Sequence, residues 1–546
     1  MTPESKARRS KAGTSTASSL KASGRTKRRL RRALGVAAGV VVLGAGTGLV
    51  VAAGAVPAPA GLRPGTAPAV DVPVGQTVGV CPGPAELLQG TPAQGDPQFS
   101  AASSTASSTL TAAVLGEPSG ALPASLIKGV DGSVLQKVSD GQKAPVTPPA
   151  AAPAVIATRA TTGAALLSTA ALDGRPSSAA ALFRYSATDG DLRGLAAGPC
   201  ASPSNDLWLG GASTLVGRTS VLYLTNPSTT PATVDLEFFG DQPLGQAPAG
   251  SRGIQVPPGS TKSFVLGGFE PGQRNVSVHV RSSGGPVAAV IQQSTLRGLT
   301  PGGVDFLTPV AAPSTRAVAA GIELQDPAAS RDLSSQQGFD DATAALQVTV
   351  PGAVNAVVQV RVFGQNGPVT LPAGAVFTAR AGSVTEIPLT GLPAGKYSVA
   401  AASDVSFTAS VRMVKGTSPT DPLDFAVSGA QPRLGDGHVV PVGVTGLRTL
   451  VFAVPDGKAR VTATPISDDG KVHAPVTLDI AGGTTATLQV PSTVDGAKTA
   501  GYSISSSGDP AYGSLLLESD QGDGIAVASI LPPAGGRESI PVTLGY

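Results

Sequence analysis

The stretch "RTSVLYLTNPSTTPATVDLEFFG" (Arg218–Gly240) decides the fold. In its second half Val234, Leu236 and Phe238 alternate with Asp235 and Glu237, the period-two pattern of a strand with one buried face. Its first half is a β-branched and aromatic run, and the "NPSTTP" between them is made of residues that turn a chain. Downstream, "NVSVHVRS" alternates again through Val276, Val278 and Val280. Two further copies of this plan follow. One reads "AVVQVRVFGQNGPV", with Asn366-Gly367 as a hairpin signal. The other reads "TLVFAVPDGKARVTATPISDDGKVHAP", with turn chemistry at Asp456-Gly457 and Asp469-Gly470. A degenerate first copy ends in "PAVIATRATTGAALLSTAAL", and residues 100–115 fit a strand or a loop equally.

Short strands between frequent turns predict a mainly β protein: tandem immunoglobulin-like antiparallel β-sandwich domains after one N-terminal transmembrane helix. Composition agrees, with 69 Gly, 48 Pro and only 4% aromatic residues. The expected order is a basic disordered cytoplasmic tail (1–32), a transmembrane helix (33–56) and four sandwiches at 57–205, 206–315, 340–433 and 438–546. Residues 145–153, 325–343 and 430–438, rich in Pro, Gly, Ser and Asp, read as loops or linkers.

Residues 33–56 carry no charge, and a helix over them is about 36 Å long against a hydrocarbon core of about 30 Å. Ala53-Gly54-Ala55 offers an export-cleavage site as the alternative; length favours an anchor. Residues 1–32 hold eleven of the 39 Lys and Arg and one of the 36 acids, so the remainder is mildly acidic despite a formal charge of +3. The positive-inside bias places that tail in the cytoplasm and the bulk outside a cell membrane crossed once. With no basic stripe interleaved with aromatics, nucleic acid is not an expected partner.

The two cysteines, Cys81 in "GVCPGP" and Cys200 in "AAGPCASP", are an even pair on the exported side and are expected to form a disulfide. The basic tail, single span, Cys81, the Cys200 segment with "DLWLGGAS", and "TSVLYLTNPSTTPATVDLEFFG" together resemble an uncharacterised actinobacterial family of secreted or membrane-anchored proteins, a domain of unknown function. The resemblance implies a cell-envelope protein, encoded beside a large membrane glycosyltransferase, and carries over no catalytic residues.

The chemistry-bearing residues are sparse. His279, His438 and His473 lie far apart in the sequence and read as solvated strand or loop histidines rather than a metal cluster. The hydrolase elbow G-x-S-x-G and the phosphate-binding loop G-x-x-x-x-G-K-[ST] do not occur. Asp340-Asp341, Asp468-Asp469 and "ESDQGDG" (Glu518, Asp520, Asp523) read as turns rather than calcium or glycosidase carboxylates. Trp208, the single tryptophan, reads as core. The expectation is a non-catalytic, membrane-anchored envelope scaffold or interaction protein, with no cofactor or metal. Its partner would be an envelope protein, by resemblance the membrane glycosyltransferase. A cell-wall carbohydrate-binding protein is the alternative.

Overall fold

The computed structural model describes residues 69–71, 75–88, 101–147, 151–172, 177–243, 245–420, 422–533 and 539–541. The expected tail (1–32) and transmembrane helix (33–56) lie outside them. Among the described residues no helix is long and apolar enough to cross a membrane. Strands Ala69–Asp71 and Ser539–Pro541 pair as a small sheet in one unit. The other unit, Asp71–Glu538, holds four successive pairs of antiparallel sheets.

All four pairs share one eight-strand topology, to which the third adds the short strand Gly367–Val369 and the fourth Thr493–Val494. In each, the first, sixth, third and fourth strands form one sheet in that order, and the fifth, second, seventh and eighth form the other. The first sandwich runs from Thr77–Cys81 to Gly194–Pro199, and the second from Asp206–Ala212 to Thr300–Leu307. The third runs from Ser314–Leu324 to Asp424–Gly429, and the fourth from His438–Pro441 to Ile525–Ser529. In the third the sixth and seventh strands are fused into Gly395–Lys415: its front half pairs with Ala356–Gly364 and its rear half with Ala345–Val350.

The register explains the alternation. Leu236 lies opposite Val280 and Phe238 opposite Val278, so the apolar sets of two strands meet on one face. That face packs against Leu222, Leu224 and Ile291 of the facing sheet. The Asn366-Gly367 hairpin forms one residue earlier than its signal: Gly364 pairs with Gly367, leaving Gln365-Asn366 as the turn.

The last strand of each sandwich also completes the core of the one before it. Val304 and Phe306 of the second are buried in the core of the first, where Phe306 meets Phe183 edge-on, ring centroids 5.4 Å apart. Val427 of the third packs on the core of the second. Ile525 and Val527 of the fourth enter the core of the third. Leu195 and Ala197 of the first enter the core of the fourth, which closes a ring.

Two expectations are corrected and one open reading is settled. The third sandwich begins at Ser314 rather than residue 340: of the strand Ser314–Leu324, residues 317–322 are buried on both faces and show no alternation. Residues 325–343 are not only linker: Pro327–Ser334 is a helix capped by Asp326, whose carboxylate accepts from the N–H groups of Ala328 (2.9 Å) and Ala329 (3.0 Å). Leu333 anchors it beside Phe339, Leu423 and Phe425. Residues 107–115, within the undecided stretch, form a strand.

Candidate functional site

The four last strands, Gly194–Pro199, Thr300–Leu307, Asp424–Gly429 and Ile525–Ser529, pack around one another at the centre of the ring. Where they meet, three carry a glycine, as Gly194-Leu195 and Gly524-Ile525 at the strand starts and Gly303-Val304 within Thr300–Leu307; the third sandwich has Asp424-Phe425 in the matching place. Asp424 is fully buried, and its carboxylate reaches the other three strands. Its Oδ2 accepts from the N–H groups of Leu195 (2.9 Å) and Ile525 (2.9 Å), and its Oδ1 accepts from that of Val304 (3.3 Å). Gly303 has φ 107°, and a Cβ there would stand 2.4 Å from Asp424 Oδ1. Only glycine lets the backbone come this close.

Asp305 lies on the same strand as Val304. It accepts from its neighbour Phe306 N–H (2.8 Å) and from Val427 N–H of the third sandwich (2.8 Å). Burial pushes the Asp305 carboxyl up to about 8, against the pull of those two N–H groups. Burial likewise pushes Asp424 well above the usual carboxylate range, while its N–H donors act in the opposite direction.

Two cavities flank this hub. One, of about 300 Å³, is lined by the first, second and fourth sandwiches and by the ends of the last strands or the segments after them, at Pro199, Pro309, Pro432 and Pro532; its walls are otherwise largely Ala, Val and Leu. The other, about 330 Å³, lies between the first and second sandwiches. One wall is the segment Cys81–Glu86, and the other is the outer face of the sheet carrying Tyr223 and Thr225. Cys81 and Cys200 are joined by a disulfide, with Cα atoms 4.1 Å apart, beside both cavities.

The three histidines are largely buried, which corrects the solvated reading. His279 stacks on Trp208 (centroids 4.0 Å apart), with its ring nitrogens 3.2 Å from Asp206 and 3.3 Å from Glu237. The second and third sandwiches cover that face, since Trp208 also packs with Phe239, Val310 and Val384. His438 Nε2 accepts from Gly435 N–H (2.8 Å) and its Nδ1 donates to Leu531 O (2.7 Å), which requires the neutral ring; burial lowers its pKa accordingly.

His473 lies 2.7 Å from Asp495 and 2.8 Å from Ser467 Oγ, the connectivity of a nucleophile, base and orienting acid. Ser467 is fully buried, however, and its hydroxyl also lies 2.5 Å from Asp469. The group pins the hairpin turn and presents no nucleophile to solvent.

Asp469 stays within its hairpin turn, paired with Lys471 (2.6 Å), whereas Asp340, Asp341, Glu518 and Asp523 tie sandwiches together. Asp341 receives Arg218 (2.7 Å) and Arg297 (3.0 Å) of the second sandwich, and Asp340 pairs with Arg274. Glu518 and Glu323 share Lys415 and Lys396 across the third and fourth sandwiches, while Asp523 pairs with Arg193 of the first (3.2 Å). Among the described residues no three His, Cys, Asp or Glu side chains are grouped to hold a metal ion. The sequence reading missed the hub, whose one signal was a Gly, Gly, Asp, Gly series at matching places in the four last strands.

Fold and hub define a class: a mainly β protein of four like sandwiches closed into a ring. The chain belongs to DUF5719, a family of unknown function, whose model matches residues 155–491. A search of curated proteins finds no match. Among solved structures, the native conformation of E. coli alpha-2-macroglobulin is similar at 12% identity, with a TM-score of 0.11. The match covers 84% of this chain and 34% of that one, so the chain spans about a third of that protein. At that score it carries no argument.

Proposed function

We propose that this is an extracytoplasmic, membrane-anchored scaffold of the cell envelope that works by binding rather than by chemistry. Residues 33–56 are its anchor, residues 1–32 its cytoplasmic tail, and its sandwiches are immunoglobulin-like. They keep the second and fifth strands adjacent in one sheet and the third and sixth in the other, the core pairing of that fold. The observation that carries the reading is the closed ring, in which four sandwiches share cores and one carboxylate. Such a body presents fixed outer faces, and an interface of ordinary size, about 1,600 Å² in total, needs only one or two of them. The Cys81–Cys200 disulfide suits an oxidising compartment.

The partner proposed is an envelope protein, by family resemblance a membrane glycosyltransferase. Crosslinking in intact cells followed by mass spectrometry tests this, with membrane fractionation of the same cells. Reproducible crosslinks to one membrane protein are expected. A chain recovered only in the cytosolic fraction, or one without recurrent crosslinks, would overturn the reading.

A further inference from the structure

The cavity between the first and second sandwiches is built differently from the one at the end of the hub. Tyr223 and Thr225 lie two residues apart on one strand, with Leu222 and Leu224 turned into the core, so both point out of the sandwich. Ser263 and Thr261 sit directly opposite them on the neighbouring strand. Ala288 and Val290, opposite on the other side, leave that face low. The result is a shallow floor with four hydroxyl groups, and Thr308 adds a fifth from the rim.

The facing wall is rigid. Cys81 is tied to Cys200, and Pro82 and Pro84 restrict the chain that follows. At Glu86, Gln292 grips the backbone twice: its Oε1 accepts from Glu86 N–H (2.9 Å) and its Nε2 donates to Glu86 O (2.8 Å). The Glu86 side chain is exposed at the cavity. Burial, helped by the Glu86 charge, pushes the Tyr223 hydroxyl up to about 12, so that hydroxyl keeps its proton and can donate.

The chemistry of the lining restricts the ligand. Hydroxyls both donate and accept, whereas a carboxylate only accepts. Glu86 is the single charged residue lining the cavity among the described residues, so an anion meets repulsion and no counter-charge. Tyr223, Phe306 and the prolines supply apolar faces. A ligand with many hydroxyls, an apolar ring face and no negative charge satisfies all of these at once. The volume of about 330 Å³ falls at the lower end of small-ligand sites, roughly 300–1,000 Å³. We infer that this cavity binds a saccharide residue, neutral or amine-bearing, with Glu86 and the Tyr223 hydroxyl as its principal hydrogen-bonding partners.

The test uses the full chain in detergent and saturation-transfer NMR with glucose, galactose, mannose, N-acetylglucosamine, glucosamine and glucose 6-phosphate, each at about 10 mM. At least one of the five uncharged or amine-bearing sugars is expected to receive saturation, and glucose 6-phosphate to bind more weakly than glucose. Glu86→Gln and Tyr223→Phe should each weaken binding about tenfold, the scale of one hydrogen bond to a charged or buried group. Neither change removes packing volume, and Asp479→Ala on the fourth sandwich should change nothing. No saturation of any of the five, glucose 6-phosphate bound as well as glucose, or binding indifferent to both Glu86→Gln and Tyr223→Phe would each overturn the site. The inference rests on the reading that the exterior works by binding, but fails separately from it: an empty sugar panel alongside recurrent protein crosslinks removes this site alone.

Discussion

At Asp424, burial and hydrogen bonding pull one carboxyl in opposite directions, and the geometry shows what each contributes. Three backbone N–H groups from three different sandwiches converge on it, so losing the acceptor strands them all. Asp424→Asn, which turns half of the acceptor into a donor, is expected to destabilise the fold by about 1–3 kcal/mol, read as a lower melting temperature. Asp424→Gly would put the same residue at the matching place in all four last strands and leave an empty cradle of N–H groups. It should melt lower still, and formate, at concentrations that leave the unaltered protein unchanged, should raise its melting temperature. Asp305 adds a pH dependence of definite sign. Its folded pKa of about 8 exceeds the unfolded value near 3.8, so the folded chain keeps a proton that the unfolded chain loses between these values. Its contribution is complete below about pH 4 and is lost as pH rises toward about 8. Melting curves across that window should slope downward with pH, and Asp305→Asn should flatten the slope. None of this was legible at the residue scale, because an aspartate in "PLDFAV" looks like any strand-edge acid until the four strands are brought together.

Among the elements, the strands that alternate were the easiest to read. Val234, Leu236 and Phe238 form one face of a strand whose other face stays polar, so the sequence carries the period directly. Ser314–Leu324 was illegible for the opposite reason: from Ala317 on both of its faces are covered, and its run of Ala and Val has no period. The Pro327–Ser334 helix did leave a signal, Asp326 followed by Pro327, but it was masked by the polar, turn-like composition around it. The last strands carry a double role that no local pattern reveals, since each serves its own sheet and its neighbour's core. Phe306 is the sharpest case. Phe306→Ala should cost about 3–5 kcal/mol, the range for large aromatic truncations in a core. Hydrogen exchange should show faster opening of Ser178–Ala187 in the first sandwich, where Phe183 lies, as well as of the altered strand. Faster exchange confined to the second sandwich would mean that the shared core contributes little.

For the whole molecule, shared cores imply shared stability. Sandwiches joined only by linkers would melt separately, whereas these four exchange their last strands in a closed order. Calorimetry of the full chain is expected to show one cooperative transition for all four, with a calorimetric enthalpy close to the van't Hoff value. Resolved transitions would contradict the closed ring. Sequence repeats alone suggested beads on a string, because repetition records what the units have in common and not the surfaces by which they differ and dock. The closed order has a further consequence for how the chain comes to be folded. Synthesis releases the N-terminal sandwich first. That sandwich stays unfinished until Phe306 is made, the second until Val427, and the third until Val527. The fourth is completed by Leu195 and Ala197, which by then have long been waiting with their apolar side chains uncovered. A nascent chain of this kind keeps apolar surface uncovered until the last sandwich is made and meets Leu195 and Ala197.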